Sequence, residues 1–224
     1  MGHLAAVRER IAAAATASGR SPDGVTLVAV TKTFPVSDTR LLAALGIRDV
    51  GENRAADGRT KRDACSGLPL RWHHVGQVQT NKCRDVAAYA DVVHAVDRPG
   101  LVPILDAAAD RAGRRLECLV QVSLDGDLRR GGAPPEGVVP IAELVARTRA
   151  LDLRGVMAVA PRGADPDAAF AALAAVAADL RRRYPEATAI SAGMSGDLEA
   201  AVRHGATYVR VGTALLGGRR PRVG

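Results

Sequence analysis

Short apolar runs of strand length alternate with helix-length segments along the chain, and this alternation limits the fold more than any other feature. The first run, Leu27-Val28-Ala29-Val30, is rich in valine and is followed by Lys32 and Pro35. A continuous apolar run of this length is typical of a strand buried on both faces of a parallel sheet. Because helical segments separate such runs, the sequence predicts an α/β fold with parallel strands.

Eight segments have the strand pattern, and an amphipathic helix carrying Leu4, Val7 and Ile11 precedes them. The predicted strands are 25–31, 47–50, 70–75, 91–96, 116–123, 153–160, 187–191 and 207–211. This pattern predicts a single (β/α)8 TIM barrel with an extra N-terminal helix. No Pro/Gly/Ser-rich linker interrupts the pattern, so we expect residues 1–224 to form one domain. A doubly wound open sheet has the same alternation, but it predicts a glycine-rich dinucleotide fingerprint after the first strand, and residues 31–35 are unlike one.

The composition disfavours several classes of protein. No apolar run is long enough to cross a bilayer, so we expect a cytoplasmic protein without a membrane segment. The net charge of +7 comes mostly from arginines spread over predicted helices, with a short basic tail at Arg219, Arg220 and Arg222, and only 3% of residues are aromatic. A solvated arginine surface is therefore favoured over a nucleic-acid interface. The 3 cysteines are widely spaced and predict neither a disulfide framework nor a zinc site.

Lys32 is the candidate reactive residue, because it stands where the first strand leaves the apolar core. An ammonium at the rim of an apolar interior is partly desolvated, which favours the neutral amine that attacks an aldehyde. A lysine that forms a Schiff base requires this environment. A lysine that extends its head into water has the same sequence pattern, so other loops must decide between the two interpretations.

Residues after the last two predicted strands favour a phosphate site. In a barrel of this kind, the loops after the seventh and eighth strands frequently bind phosphate. Ser195 is the predicted N-cap of the helix after the seventh strand, and Gly212-Thr213 forms a second small turn beside it. Ser195 alone is interpreted as a plain helix cap, but the pair of turns favours phosphate. Pyridoxal 5′-phosphate is a phosphorylated aldehyde that would bridge these turns and Lys32.

Arg210 and three histidines have more than one interpretation. Arg210 ends the eighth strand as a surface residue, as part of an ion pair, or as a donor to the pyridine nitrogen of a cofactor, where it would oppose protonation of that nitrogen. His73, His74 and His94 lie near strand ends, either as catalytic groups or as ordinary hydrogen-bonded histidines. They lack a carboxylate at metal-ligand spacing, so no metal site is predicted.

Seven motifs occur in order along the chain. They are Val28-Ala29-Val30-Thr31-Lys32, Gly51-Glu52-Asn53, Trp72-His73-His74-Val75-Gly76 with Gln79-Thr80-Asn81-Lys82, Val96-Asp97-Arg98, Gly155-Val156-Met157-Ala158, Gly193-Met194-Ser195-Gly196-Asp197 and Val209-Arg210-Val211-Gly212. In this order they resemble the pyridoxal phosphate homeostasis proteins (the YggS/PROSC family). The resemblance runs from the first helix to Gly217.

The resemblance implies a barrel similar to the N-terminal domain of alanine racemase, with pyridoxal 5′-phosphate held as a Schiff base on Lys32. It implies a protein of intracellular PLP (vitamin B6) homeostasis, with PLP-dependent apoenzymes as candidate partners and no settled enzymatic activity. We expect the protein to be a monomer. The cofactor-binding residues that it implies are Lys32, Asn53, Met194, Ser195, Arg210, Gly212 and Thr213: the phosphate lies on Met194, Ser195, Gly212 and Thr213, and Arg210 lies near the pyridine nitrogen.

The sequence departs from this family in two loops. Arg129-Arg130 stands where the family often has a lysine before the glycine, and Arg54 replaces the aromatic residue that often follows Asn53. These changes leave the expected cofactor site intact, but they argue against a lysine-mediated transfer of the cofactor from the first loop.

A PLP-dependent amino-acid racemase is the alternative function. Two-base racemisation needs a second acid or base opposite the lysine, and alanine racemase takes it from a tyrosine of an additional domain of the partner subunit. The chain ends soon after the eighth strand, and Tyr89, Tyr184 and Tyr208 fall in or at the ends of predicted helices and strands. A Schiff-base aldolase is a third interpretation, but no acid–base pair stands out beside Lys32. We expect no robust catalytic activity, and Lys61 and Lys82 remain the other lysines that could react.

Overall fold

The structure, a computed structural model, describes residues 2–217 and contains a closed barrel of parallel strands. The strands follow one another around the barrel in chain order, and the last pairs with the first. They are β1 (Thr26–Val30), β2 (Asp49–Glu52), β3 (Arg71–His74), β4 (Val92–Val96), β5 (Leu116–Gln121), β6 (Leu151–Met157), β7 (Ala189–Ser191) and β8 (Tyr208–Val211). The α-helices in this part of the chain are α1 (Gly2–Ala17), α2 (Val36–Ala44), α3 (Ala55–Ala64), α4 (Cys83–Tyr89), α5 (Val102–Arg111), α6 (Val138–Ala146), α7 (Pro166–Arg183), α8 (Leu198–Arg203) and α9 (Thr213–Leu216). The predicted basic tail at Arg219, Arg220 and Arg222 lies outside the described residues.

The predicted (β/α)8 fold is confirmed, because a closed barrel excludes the open doubly wound sheet. The sixth strand was predicted at 153–160 but runs from Leu151 to Met157, since its pairing with β5 begins at Leu116↔Leu151. The β5–β6 register shifts once, between Cys118 and Leu119, opposite Gly155, whose φ is 151°. This irregularity interrupts the alternation on which the sequence prediction depended.

Helix α1 is an addition to the eight strand–helix units and packs mainly against α8. It buries Leu4, Val7 and Ile11, as their helical spacing predicted. Burial of such side chains stabilises the fold by about 1.5–3 kcal/mol each relative to leaving them exposed. The Arg10 side chain extends from α1 towards the loop after β7, so this helix also supports the carboxyl end of the barrel.

The barrel interior is apolar on one side and polar on the other. Val92, Ala95, Leu119 and Met157 form a small buried cluster that is separate from the larger core between barrel and helices. Other inward positions carry buried polar side chains, among them His73, His94, Ser191 and Arg210. Burying polar groups is costly unless they are hydrogen-bonded, so their partners are part of what defines the site.

None of the helices within residues 2–217 is long and apolar enough to cross a membrane. In the same residues, no group of three or more His, Cys, Asp or Glu side chains could hold a metal ion.

Candidate functional site at the carboxyl end of the barrel

Lys32 lies at the carboxyl end of β1, where the chain makes a sharp turn. The turn is closed by a hydrogen bond from Phe34 N to Thr31 O of 3.1 Å, and Thr33 has a φ of 71°. A β-branched residue in the left-handed region costs about 1–3 kcal/mol, and such strain is concentrated at functional sites. The Lys32 side chain is half-buried. Its ammonium has no hydrogen-bond or ion-pair partner among residues 2–217, whereas Lys61 Nζ has two.

A buried cluster of polar groups stabilises the turn that follows β1. Thr31 Oγ1 donates to Glu52 Oε1 at 2.6 Å, and Lys61 Nζ contacts Glu52 Oε1 at 2.5 Å and Thr31 O at 2.6 Å. Burial raises the pKa of Glu52, and the hydrogen bond from Lys61 opposes that rise. Lys61 is therefore occupied as a structural cation.

The loops after β7 and β8 meet beside the end of β1. Ser195 Oγ accepts a hydrogen bond from Ala214 N at 3.2 Å, which links the two loops. Gly212 lies against β1, because a Cβ at this position would come within 3.1 Å of Val30 O. Since Val30 is two residues before Lys32, the two small turns and the lysine share one rim of the barrel. Within residues 2–217, the backbone N–H groups of Ser195, Gly196 and Thr213 donate to no protein atom.

The prediction that Ser195 caps the helix after β7 was wrong. That helix, α8, begins at Leu198 with Asp197 as its N-cap residue. The Asp197 carboxylate accepts from Met194 N at 2.6 Å, so it occupies one of the donors expected to bind phosphate. Ser195 is instead turned towards Ala214. Sequence spacing could not show this, because the contact joins two loops that are adjacent only in the closed barrel.

Arg10 holds the loop after β7 from the outside. Its guanidinium donates to Ser195 O at 2.9 Å and to Glu199 Oε1 at 2.6 Å. The hydrogen bond between Arg10 and Glu199 raises the pKa of Arg10 and lowers the pKa of Glu199. The orientation of the Ser195 peptide is thus fixed by a residue of α1.

Arg210 points into the barrel and is buried. Its Nη1 donates to Ser191 Oγ at 2.6 Å and its Nη2 to Ala158 O at 2.9 Å. Burial lowers the pKa of Arg210 to about 10, which leaves the guanidinium charged at neutral pH. The surface and ion-pair interpretations of Arg210 are therefore wrong. Sequence reasoning missed Ser191, although its place two residues after the inward Ala189 on β7 was a usable signal.

Asn53 follows β2 at the same end of the barrel and is half-buried. Its backbone lies so close to Gly76 that a Cβ at position 76 would overlap Asn53 O. Val75 N also donates to Glu52 O at 2.9 Å, which ties the ends of β2 and β3 together. Asn53 therefore has a fixed backbone position beside Lys32, on the next strand.

The loop that carries Arg129-Arg130 follows β5. Arg130 Nη1 contacts Asp125 Oδ2 at 2.6 Å, and Arg130 Nη2 donates to Ala160 O at 3.2 Å. Arg98 Nη1 contacts Asp97 Oδ1 at 2.5 Å. Arg98 and Arg130 thus both contact protein acceptors at this end of the barrel.

Comparisons with known proteins show which family the sequence resembles. A family model described as alanine racemase, N-terminal domain, matches residues 2–220. The chain is 43% identical to a pyridoxal phosphate homeostasis protein of Mycobacterium leprae, over 99% of this chain and 93% of that protein. It is 36% identical to the protein of the same name from Escherichia coli, over 97% of this chain and 95% of that protein.

Two solved structures show the same fold. PipY of Synechococcus elongatus, solved with PLP bound, is 34% identical, with a TM-score of 0.82 over 94% of this chain and all of that one (100%). Alanine racemase of Clostridium difficile is 19% identical, with a TM-score of 0.71 over 89% of this chain and 53% of that one, which shows a likeness of fold alone.

Proposed function

The chain belongs to the family of pyridoxal phosphate homeostasis proteins, and we propose that it binds pyridoxal 5′-phosphate at the carboxyl end of the barrel and takes part in intracellular PLP homeostasis. In this proposal Lys32 forms a Schiff base with the aldehyde. Arg210 would face the ring nitrogen, and Asn53 would also lie beside the cofactor. The phosphate lies on the loops of Met194, Ser195, Gly212 and Thr213 and is bound by the N–H groups of Ser195, Gly196 and Thr213, because Met194 N already donates to Asp197.

One observation carries the proposal: an unpaired ammonium and unpaired backbone N–H groups lie on the same rim. The Lys32 ammonium has no protein partner in residues 2–217, and neither do the N–H groups of Ser195, Gly196 and Thr213 in the adjoining loops. Backbone N–H groups in tight turns are anion sites, and a primary amine is the group that reacts with an aldehyde. A ligand that carries both a phosphate and an aldehyde satisfies both sets of groups.

Arg210 adds a specific electronic consequence. When bound, the cofactor supplies an electron sink whose strength depends on protonation of its pyridine nitrogen. A charged guanidinium can only donate to that nitrogen, so it keeps the nitrogen unprotonated. A ring held in this way is a weak electron sink. A cofactor held in this way is suited to a narrow range of reactions or to none.

The racemase alternative needs a second acid or base at the mouth. Tyr89 is fully buried, with its hydroxyl 2.6 Å from His74 Nδ1, and Tyr184 ends α7. Tyr208 begins β8 and lies against His73 and His94 inside the barrel, at the end remote from Lys32. These positions favour the carrier function. A carrier of PLP would deliver it to PLP-dependent apoenzymes, which are therefore the candidate partners. We further propose that the protein is cytoplasmic and monomeric and that residues 1–224 form one domain.

The absorption spectrum of the purified protein with added PLP tests the cofactor and its lysine together. We expect a visible band that borohydride removes, and a reduced cofactor that mass spectrometry finds on the Lys32 peptide. Lys32→Ala should abolish both, whereas Lys82→Ala, which changes an exposed lysine, should leave both as in the wild type. A protein that stays colourless with PLP would overturn the proposal.

An amino-acid racemisation assay of the loaded protein separates carrier from enzyme. We expect no D-alanine from L-alanine above the rate of free PLP. Turnover well above that rate, lost in Lys32→Ala, would favour the racemase.

A further inference from the structure

A chain of hydrogen bonds crosses the barrel interior from Arg210 to the opposite end. Arg210 Nη1 lies 2.6 Å from Ser191 Oγ, and Ser191 Oγ lies 2.8 Å from His94 Nδ1. His94 Nε2 lies 2.8 Å from His73 Nδ1, and His73 Nε2 lies 2.9 Å from Asp49 Oδ1. The residues come from five different strands, and each occupies an inward position. All are buried except the Asp49 side chain, which is 17% exposed at the amino end of β2.

The two ends of the chain determine the direction of every hydrogen bond. An ionised carboxylate only accepts, so His73 donates from Nε2 to Asp49. His73 Nδ1 is then an acceptor for His94 Nε2–H, and His94 Nδ1 is an acceptor for the Ser191 hydroxyl. Ser191 Oγ accepts from the guanidinium, which only donates. Each neutral imidazole is therefore the Nε2–H tautomer, and all the bonds run from Arg210 towards Asp49.

The surroundings of the two imidazoles favour their neutral forms. Burial lowers the pKa of His73, with Asp49 opposing the shift, and burial places the pKa of His94 well below its usual value, aided by His73 and Arg210. Tyr208 lies with its ring edge against both imidazoles, at centroid distances of 5.6 and 5.8 Å. Its hydroxyl accepts from Arg71, which also pairs with Glu117. The charged side chains of Arg71 and Glu117 thus pair with each other, and neither belongs to the chain of hydrogen bonds from Arg210 to Asp49.

We propose that Asp49, His73 and His94 are positioning residues for Arg210, because their one-way hydrogen-bond chain orients Ser191 as an acceptor for the guanidinium. This inference rests on the proposed function in one respect, namely that Arg210 faces the ring nitrogen of the cofactor. Arg210 has five N–H groups, and the contacts with Ser191 and Ala158 use two of them. The others remain available for the ring. Holding the guanidinium before the ligand arrives removes an ordering cost from binding.

Nitrogen-15 NMR of histidine- and arginine-labelled protein without cofactor tests the chain directly. We expect His73 and His94 to be neutral Nε2–H tautomers at pH 7, and the Arg210 side-chain N–H signals to be separate and slow to exchange with water. In Asp49→Ala, both imidazoles should become tautomer mixtures and the Arg210 signals should broaden. Asp49→Asn keeps an acceptor oxygen at the same place and should restore the tautomers.

Cofactor binding provides the second measurement. Ser191→Ala removes only the hydroxyl that joins Arg210 to His94, and we expect it to weaken PLP binding about tenfold, as the loss of a charge-assisted hydrogen bond would. Asp49→Ala should weaken binding in the same direction, and Asp49→Asn should recover it. Tyr208→Phe is the matched control, since it changes the same interior layer without cutting the chain, and it should bind PLP as the wild type does.

The outcomes separate the two proposals. An Nδ1–H tautomer or a cationic imidazole at pH 7 would overturn the positioning chain, even in a protein that binds PLP. So would Asp49→Ala and Ser191→Ala proteins that keep wild-type Arg210 signals. If the protein shows the expected tautomers and Arg210 signals but binds no PLP, the proposed hydrogen-bond chain is supported and the proposed function is overturned.

Discussion

Lys61 Nζ lies 2.5 Å from Glu52 Oε1 and donates to Thr31 O, the carbonyl immediately before Lys32. Lys61 is 6% exposed, and the Glu52 side chain is fully buried. The second oxygen of Glu52 has no hydrogen-bond partner within residues 2–217. The pair thus holds the end of β1 against β2 and α3. Lys61 therefore has a structural role, whereas the Lys32 amine, unpaired in the described part of the chain, is free to react, although both residues lie near the carboxyl end of the barrel.

Lys61→Met should destabilise the protein strongly. The substitution leaves the Glu52 carboxylate buried without its cation, and breaking a buried pair in this way costs about 3–5 kcal/mol. Urea unfolding followed by circular dichroism measures the loss. Lys82→Met, at an exposed lysine, should unfold like the wild type, and the double variant Glu52→Gln/Lys61→Met should recover part of the loss. Equal midpoints for Lys61→Met and the wild type would contradict the structural role.

Asp197→Asn should strengthen the binding of phosphate and of PLP. The Asp197 carboxylate accepts from Met194 N at 2.6 Å, so it places a negative charge beside the proposed phosphate loops. Asparagine keeps an oxygen acceptor and a good N-cap for α8 while it removes the charge. Removing one like charge at this range should lower the Kd about three- to tenfold at low salt, and less at high salt.

Isothermal titration with inorganic phosphate and with PLP measures this effect. Asp110→Asn is the matched control, because it makes the same charge change at an exposed position at the end of α5. If both variants bind phosphate equally, the gain is due to net charge and the placement of the phosphate beside Asp197 is wrong.

The strand–helix order and the lysine were predictable because they depend on local patterns. Apolar runs such as Leu27–Val30 indicate buried strands without knowledge of their neighbours, and a lysine at the end of such a run marks the rim. The role of Ser195 was not predictable, since its hydroxyl contacts Ala214 across two loops. Nor was the chain from Asp49 to Arg210, because it requires the inward register of five strands that are far apart in sequence.

Gly155→Ala should prevent stable folding. Gly155 has a φ of 151°, and a Cβ there would overlap the carbonyl oxygen of Ala189 on β7. Backbone cannot yield as a flexible side chain can, so we expect a loss of more than about 3 kcal/mol or insoluble protein. Thermal unfolding measures it. Gly100→Ala is the control, since a Cβ at position 100 meets nothing within 4 Å and the φ there is ordinary. A Gly155→Ala protein with the wild-type Tm would contradict the observed β6–β7 packing.

Stability should fall as the pH decreases from about 6.5 to 4, and His74 should contribute to the fall. Burial lowers the pKa of His74 to about 4 from an ordinary value of 6.5, and its Nδ1 lies 2.6 Å from the Tyr89 hydroxyl. Between these two values the unfolded chain binds a proton that the folded protein does not, so acid favours unfolding. The shift corresponds to about 3 kcal/mol at the acid end of this window.

His74→Asn tests this contribution, because the asparagine amide does not titrate and can either donate to or accept from the Tyr89 hydroxyl. Urea unfolding at several pH values should show a shallower loss of stability between pH 6.5 and 4 than in the wild type. Part of the slope should remain, since burial lowers the pKa values of His73 and His94 in the same direction. His3→Asn, at an exposed position of α1, is the control and should keep the full slope. If His74→Asn also keeps the full slope, His74 is protonated in the folded protein within this window and its burial against Tyr89 does not hold it neutral.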